Sequence, residues 1–310
     1  MSRSLKDFVI IGLKGAAMGA ADVVPGVSGG TIAFISGIYE ELLSSISNVN
    51  LSLFKTLKSN GFKAAWKQLN GSFLVSLLIG ILISIFSLAK AIKWLLENEP
   101  ILLWSFFFGL VLASVIYIGK QISKWNWITS IVMVLGAILA YYITTLNPLV
   151  TESSSLLFMF LAGALAICAM ILPGISGAFI LVLLGAYQPV LAAVNNRDFK
   201  VIAIVAAGAV VGLLLFSRIL KWLFTHYKNY TLAVLTGLII GSLNKIWPWK
   251  ETLTWRVNSH GVKVPFKQQS ISPISLPEES QLAMAIGLAV VGFGLILLLE
   301  KLAVKDNNME

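Results

Sequence analysis

The chain has 310 residues, of which 57% are hydrophobic and 12% are charged, and its mean hydropathy is +0.87. Soluble domains carry about 25% charged residues, so this composition excludes an ordinary soluble protein. The net charge of +9 lies in short basic clusters beside apolar segments, which is typical of membrane-protein loops and argues against nucleic acid as a partner. The single cysteine, Cys168, excludes a disulfide framework and a cysteine metal site.

The chain therefore reads as an all-α polytopic membrane protein. Residues 1–150 form its first predicted unit, a helical hairpin that is interrupted by a Pro-Gly break and followed by a basic loop at 48–71. The hairpin covers 8–46, and the apolar runs that follow predict transmembrane spans at 72–89, 101–119 and 127–145.

Residues 151–310 repeat this plan. A second hairpin covers 156–194, and spans are predicted at 201–217, 231–246 and 281–299. A mid-chain copy of the N-terminal segment also argues that the N-terminus belongs to the mature fold and is not a signal peptide.

Identical residues at constant spacing indicate an internal duplication. In the hairpins the matched pairs are Pro25 and Pro173, Gly26 and Gly174, Ser28 and Ser176, Gly29 and Gly177, Gly37 and Gly185, and Tyr39 and Tyr187. Beyond the hairpins the matches continue with Lys93 and Lys221, Gly109 and Gly237, Ser114 and Ser242, and Gly136 and Gly292.

The duplication predicts two repeats of inverted topology. Each hairpin arm has roughly 17 residues, or about 25 Å of helix, against an apolar core of about 30 Å. Such arms are expected to re-enter the membrane and return. Whether they cross or re-enter, each half makes an odd number of crossings, so the halves enter from opposite sides, as in many secondary transporters. The distribution of Lys and Arg predicts that both termini are cytoplasmic.

The two breaks are the predicted binding site. A break inside a membrane leaves backbone groups unpaired, and this is tolerated where the backbone is buried in protein or lines a wet cavity. The helix restarting after each break presents free N–H groups, which bind anions. Ser28 and Ser176 could hold a phosphate or serve as helix caps. The predicted anion-binding segments are Pro25, Gly26, Val27, Ser28, Gly29, Gly30 and Thr31, and Pro173, Gly174, Ile175, Ser176 and Gly177.

Two ionisable residues lie inside the first hairpin, Lys14 and Asp22, eight positions apart and roughly on one helical face. Charges at membrane depth are expensive and by default mark function, although a structural pair would also explain them. Their counterparts in the second half are Ala162 and Met170. No metal-ligand spacing, nucleophile elbow or phosphate-binding loop of nucleotide enzymes is present, so the sequence predicts a translocation pathway without cofactor or metal.

The segment from Gly19 to Thr31, together with that from Ile171 to Gly177, resembles the PopT-type undecaprenyl-phosphate translocases of bacteria. The resemblance implies a flippase in the bacterial plasma membrane that returns undecaprenyl phosphate from the outer to the inner leaflet, with the two Pro-Gly segments and Asp22 as its site. A proton or sodium ion is the expected coupling partner, with Asp22 as the hypothetical proton carrier, and a homo-oligomer is possible. The alternatives are a transporter or channel for a small soluble anion and a membrane phosphatase of lipid pyrophosphates.

Overall fold

The computed structural model describes residues 3–24, 27–146, 155–257, 263–275 and 280–307. Most of these residues are helical. The helices of the first half are α1 (Leu5–Val23), α2 (Gly29–Ile35), α3 (Tyr39–Ser47), α4 (Leu51–Leu69), α5 (Gly71–Asn98), α6 (Pro100–Lys120) and α7 (Trp127–Thr145). Those of the second half are α8 (Leu156–Ile171), α9 (Gly177–Leu183), α10 (Tyr187–Asn195), α11 (Phe199–His226), α12 (Lys228–Ser242) and α13 (Leu282–Asn307).

A small antiparallel ribbon interrupts the helical fold between α12 and α13. A 3₁₀ turn at Leu243–Ile246 leads into strands β1 (Lys250–Val257) and β2 (Lys263–Ser270), with Lys250 opposite Ser270. A second 3₁₀ turn, Pro273–Ser275, precedes α13. The prediction of an all-α chain is confirmed for the membrane-spanning part, but it missed this ribbon.

Four described helices are long and apolar enough to cross a membrane, namely α5 over Gly71–Leu88, α6, α7 and α11. A fifth candidate arises if α9 and α10, bent by 107° at their junction, are counted as one broken span. The apolar parts of α8 and of α13 (Leu282–Leu298) are shorter. The span predicted at 231–246 is a 15-residue helix, α12, followed by the 3₁₀ turn.

The segment predicted as a basic loop at 48–71 is a helix. In α4, Asn50 caps the start by accepting from the N–H groups of Ser52 and Leu53, and the helix kinks at Gly61, whose φ is +78°. Its lysines alternate with exposed apolar side chains such as Phe54 and Phe62. A basic helix with exposed aromatic residues is typical of one that lies along a membrane surface.

Each predicted return arm is also divided in two. Gly37 separates α2 from α3 and Gly185 separates α9 from α10, with φ values of +73° and +74°. This left-handed conformation suits glycine, which has no Cβ. The matching of Gly37 with Gly185 in the sequence was a signal for this second break, and the prediction of continuous arms was wrong.

The two ends of the bundle are defined by their polar contacts. At one end, here named the Glu41 end, Glu41 accepts from Arg3 and from Asn70, both at 2.7 Å. These bonds bring together the starts of α1 and α5 and the return arm of the first hairpin. At the other end, named the Trp104 end, the Gln281 side chain donates to Glu99 at 3.4 Å, so α13 begins beside the start of α6.

Helix pairing in the bundle is reciprocal between the two halves. The closest pairs are α1 with α5, α8 with α11, α6 with α13, and α7 with α12. Thus the hairpin helix of each half packs on the next long helix of that half. The last two helices of each half instead pack on those of the other half.

Glycines at matched positions make these close approaches possible. A Cβ on Gly80 would clash with the Gly12 carbonyl, and one on Gly208 would clash with the Phe160 carbonyl. The spacing of 128 residues between Gly80 and Gly208 is that of Lys93 and Lys221. In the same way Gly109 meets Ala289, and Gly237 meets Met133. Small residues that let helix backbones approach closely are typical of membrane interfaces.

These contacts predict the effect of adding one methyl group. Gly80→Ala and Gly208→Ala are each expected to lower the free energy of unfolding by about 1–3 kcal/mol, because the neighbouring atom is a backbone carbonyl that cannot rotate away. Gly287→Ala, with no neighbour within 4 Å, is the control and is expected to be neutral or stabilising by up to about 1 kcal/mol. Denaturant unfolding of the purified protein measures this; equal stability of all three variants would contradict the packing.

Candidate functional site

The first break lies between α1 and α2. Pro25 and Gly26 fall outside the described residues, while Val24 and Val27 beside them are buried. Ser28 caps α2, and its Oγ accepts from the Gly30 N–H at 3.1 Å. The predicted capping role of Ser28 is therefore present, and its hydroxyl proton remains available for a second contact.

Asp22 belongs to the last turn of α1, and its carboxylate lies against the start of α2. Its Oδ1 accepts from the Gly29 N–H at 2.7 Å, and a Cβ on Gly29 would meet this carboxylate. A carboxylate at a helix start offsets the positive end of the helix dipole. The N–H group that was predicted to receive a phosphate therefore already binds the chain's own anion.

Lys14 also belongs to α1, and its ammonium contacts the opposite end of α2. Its Nζ donates to the Ser36 carbonyl, which terminates α2, at 2.7 Å. Eight residues of α1 span about 12 Å and the seven residues of α2 about 10.5 Å, so Asp22 and Lys14 bracket α2 with charges that complement its dipole. In the second hairpin Ala162 and Met170 occupy these positions, and α9 has no such bracket.

The second break lies between α8 and α9. Pro173, Gly174 and Ile175 are buried, and Gly174 has a φ of +87°. Gly177 packs so closely on α8 that a Cβ would lie 2.5 Å from the Ala166 carbonyl. Ser176 makes no side-chain capping bond to α9. The matched serines therefore differ in their contacts.

The two breaks contact each other directly. The Ser28 hydroxyl donates to the carbonyls of Met170 and Leu172, at 3.1 and 3.2 Å. In the opposite direction the Gly174 N–H donates to Thr31 Oγ1 at 3.0 Å. These bonds join residues more than 140 positions apart, so the structure places the hairpin tips side by side.

A tyrosine that the sequence analysis did not include in the site strengthens this contact. The Tyr39 hydroxyl donates to the Ile171 carbonyl at 3.2 Å, and the side chain is buried. It also packs against Phe34 and Phe224, with ring centroids 5.0 and 5.8 Å away. The available signal was the match of Tyr39 with Tyr187, which a duplicated site would retain.

The tips are closed in this structure. The side chains of Ser28 and Thr31 are only 2% and 1% exposed, and the carbonyls freed by one break accept from the other hairpin. Gly30 approaches so closely that a Cβ would lie 2.5 Å from the Ile171 carbonyl. The sequence predicted a wet pocket at this place, whereas the Ser28 hydroxyl, the Thr31 hydroxyl oxygen and the Gly174 N–H are bonded between the two tips.

Within the residues that the structure describes, no three His, Cys, Asp or Glu side chains lie close enough together to hold a metal ion. A cavity of about 190 Å³ lies between α3 and α11, lined by Glu40, Lys221 and Phe224 among others. Glu40 there pairs with Lys228 at 2.7 Å.

Comparison with known proteins now identifies the chain's relatives. The profile of the VCA0040-like family, described as undecaprenyl phosphate translocase-like, matches residues 18–264. The chain belongs to this family. A relative from Vibrio cholerae, named polyprenyl-phosphate transporter, is 52% identical over 297 residues, covering 94% of this chain and 96% of the relative.

A second relative of the same name, from Staphylococcus aureus, is 33% identical over 253 residues, covering 76% of this chain and 85% of its own. No solved structure matches the chain significantly. The family resemblance inferred from the Pro-Gly segments is confirmed. The chain is a membrane transporter rather than an enzyme, so the alternative of a lipid-pyrophosphate phosphatase is not retained.

Proposed function

We propose that this protein transports undecaprenyl phosphate from the outer to the inner leaflet of the bacterial plasma membrane. The observation that carries the proposal is the direct contact of two polar hairpin tips inside an otherwise apolar helical bundle. A lipid phosphate needs a polar route for its head group only, because its tail can stay in the bilayer. The names of the two relatives support the choice of a polyprenyl phosphate.

The two halves, 1–150 and 151–310, act as inverted repeats, with both termini in the cytoplasm. Reciprocal helix pairing and matched glycine contacts support this arrangement. The bond between Arg3 and Glu41 supports a re-entrant first hairpin, since it joins the start of α1 to the return arm. The Glu41 end then faces the cytoplasm and the Trp104 end faces outward.

The phosphate binds where the tips now bind each other. Separation of the hairpins releases the Ser28 hydroxyl, the Thr31 hydroxyl and the Gly174 N–H, which are groups that bind phosphate oxygens. The other described residues of the two Pro-Gly segments keep these groups in place. The observed closed contact is the resting state, which leaves no polar leak when lipid phosphate is absent.

Asp22 carries the coupling proton. Moving one negative charge toward an inside-negative membrane face costs about 2.3 kcal/mol per 100 mV, so a cation that travels inward with the phosphate offsets this work. Asp22 lies beside the tip and holds the Gly29 N–H as an acceptor. Protonation weakens that charge-assisted bond and frees the N–H for the phosphate. Lys14 continues to hold the far end of α2.

A leaflet-resolved assay tests the function. Proteoliposomes containing undecaprenyl phosphate are to be followed with a probe that reacts only with the externally exposed lipid, with and without a pH gradient, and with sodium exchanged for potassium. We expect the protein to move lipid phosphate between leaflets, faster with the pH gradient. Movement equal to that in protein-free vesicles, with uptake of soluble phosphate in its place, would instead identify a small-anion transporter.

A further inference from the structure

Two lysines at the Trp104 end lie in an unusual environment. Lys245, in the 3₁₀ turn after α12, places its ammonium 4.5 Å from the centre of the Phe179 ring on α9. It therefore reaches the second hairpin, three residues beyond Ser176.

Lys250 lies beside it at the start of β1. Its ammonium is 4.2 Å from the centre of the Trp104 ring on α6 and donates to the Lys245 carbonyl at 2.6 Å. A cation over an aromatic face gains about 0.5–2 kcal/mol, but the ring does not neutralise the charge. Both lysines are half-buried.

The base of the ribbon fixes these positions. Trp247 donates through Nε1 to the Ile271 carbonyl at 2.9 Å, and Trp249 donates to the Ser280 carbonyl at 2.8 Å. The two indole rings also contact each other, and Trp247 contacts Phe108 on α6, with centroids 5.4 Å apart in both pairs. The two lysines are thus held on a rigid aromatic base.

No described carboxylate forms an ion pair with either lysine. Among the described residues, the acids of neighbouring elements are Glu251, which is exposed on β1, and Glu99, which accepts from Gln281. Burial lowers the pKa of Lys245, and burial together with the charge of Lys245 lowers the pKa of Lys250 to about 7. Two adjacent cations that have no counter-ion within the described part of the chain are costly to bury, and a bound anion would reduce that cost.

We propose that Lys245 and Lys250 form the docking site for the phosphate of the transported lipid at the Trp104 end, from which the head group passes to the second hairpin tip. This proposal rests on the proposed function. Because Lys245 contacts Phe179 on α9 and Lys250 contacts Trp104 on α6, the site lies beside the helix that follows the second break. Phe179 and Trp104 provide apolar surface for the first part of the tail.

The site is tested by measuring the binding of farnesyl phosphate to the purified protein in detergent. Farnesol and inorganic phosphate are measured for comparison. In the double variant Lys245→Gln, Lys250→Gln we expect the Kd of farnesyl phosphate to rise at least 30-fold. The matched control is Lys200→Gln, which changes an exposed lysine at the start of α11 and is expected to leave the Kd unchanged. Thermal unfolding shows whether each variant is folded.

The pH dependence separates a binding role from a structural one. The second ionisation of a phosphate monoester lies near pH 6, so between pH 6.5 and 8.5 the main change is loss of the Lys250 proton. We expect wild-type affinity to fall at least tenfold over this interval. Lys250→Arg, whose side chain stays charged, is expected to bind equally well at both pH values.

Three outcomes would overturn the site. They are unchanged affinity in the folded double variant, equal affinity for inorganic phosphate and farnesyl phosphate, and a pH profile unaffected by Lys250→Arg. The leaflet assay keeps this failure distinct from failure of the function. If the wild-type protein transports lipid phosphate and the double variant binds and transports it equally well, the docking site is wrong and the proposed function stands. If the wild-type protein binds farnesyl phosphate but moves no lipid phosphate between leaflets, the proposed function is wrong.

Discussion

Gly30→Ala is expected to reduce transport at least tenfold and to lower the free energy of unfolding by about 1–3 kcal/mol. The added Cβ would lie 2.5 Å from the Ile171 carbonyl and 3.1 Å from that of Met170. Both neighbours are backbone atoms of the second hairpin, so the hairpins must move apart. That movement also breaks the bonds from Ser28 to Met170 and Leu172.

The control for this variant is Gly119→Ala in α6, where no atom lies within 4 Å of the added methyl group. Transport is to be measured by the leaflet-resolved assay and stability by denaturant unfolding, both at equal protein content. If Gly30→Ala matched Gly119→Ala in both measurements, close contact of the tips would not be required, and the proposed route would lose its central observation.

Asp22→Asn is expected to remove at least nine-tenths of the transport activity and its response to a pH gradient, while stability changes by less than about 1 kcal/mol. The amide oxygen can still accept from the Gly29 N–H, but the side chain can no longer carry a proton. Asp22→Ala is expected to lose activity and in addition about 1–3 kcal/mol of stability, because the Gly29 N–H is left without an acceptor.

A matched control exists on the protein surface. Asp198 caps α11 by accepting from the N–H groups of Lys200 and Val201, and its side chain is exposed. Asp198→Asn therefore makes the same chemical change at a helix start outside the proposed route. We expect normal transport from it. Wild-type transport by Asp22→Asn across the working pH range would exclude Asp22 as the proton carrier.

Apolar run length predicted the long helices well. The span predicted at 127–145 coincides with α7, and that at 101–119 differs from α6 by one residue at each end. Helices α5 and α11 extend beyond their apolar runs, to Asn98 and His226, since polar residues continue a helix outside the apolar layer. The β ribbon was missed although Leu253, Trp255 and Val257 alternate with polar residues in β1, a pattern typical of a half-buried strand.

Part of the site could be predicted from the duplication alone. Two matched breaks in one bundle suggested a shared site. The bond that Ser28 donates to the second tip and the bond that Thr31 accepts from it agree with that expectation. The place of Asp22 on Gly29 was not predictable, because an acceptor seven residues upstream reaches the helix start only after the chain has turned. The burial of Lys250 was likewise not predictable, because it depends on contact with Trp104, 146 positions earlier.

The reciprocal pairing of helices has a consequence for biosynthesis. Because α6 packs on α13 and α7 packs on α12, neither helix has its main neighbour while the ribosome is still translating the first half. Until the second half has been made, the glycine-containing surfaces of α6 and α7 face the translocon or lipid. The bundle closes only when α12 and α13 have been made, so loss of α13 leaves α6 without its main partner.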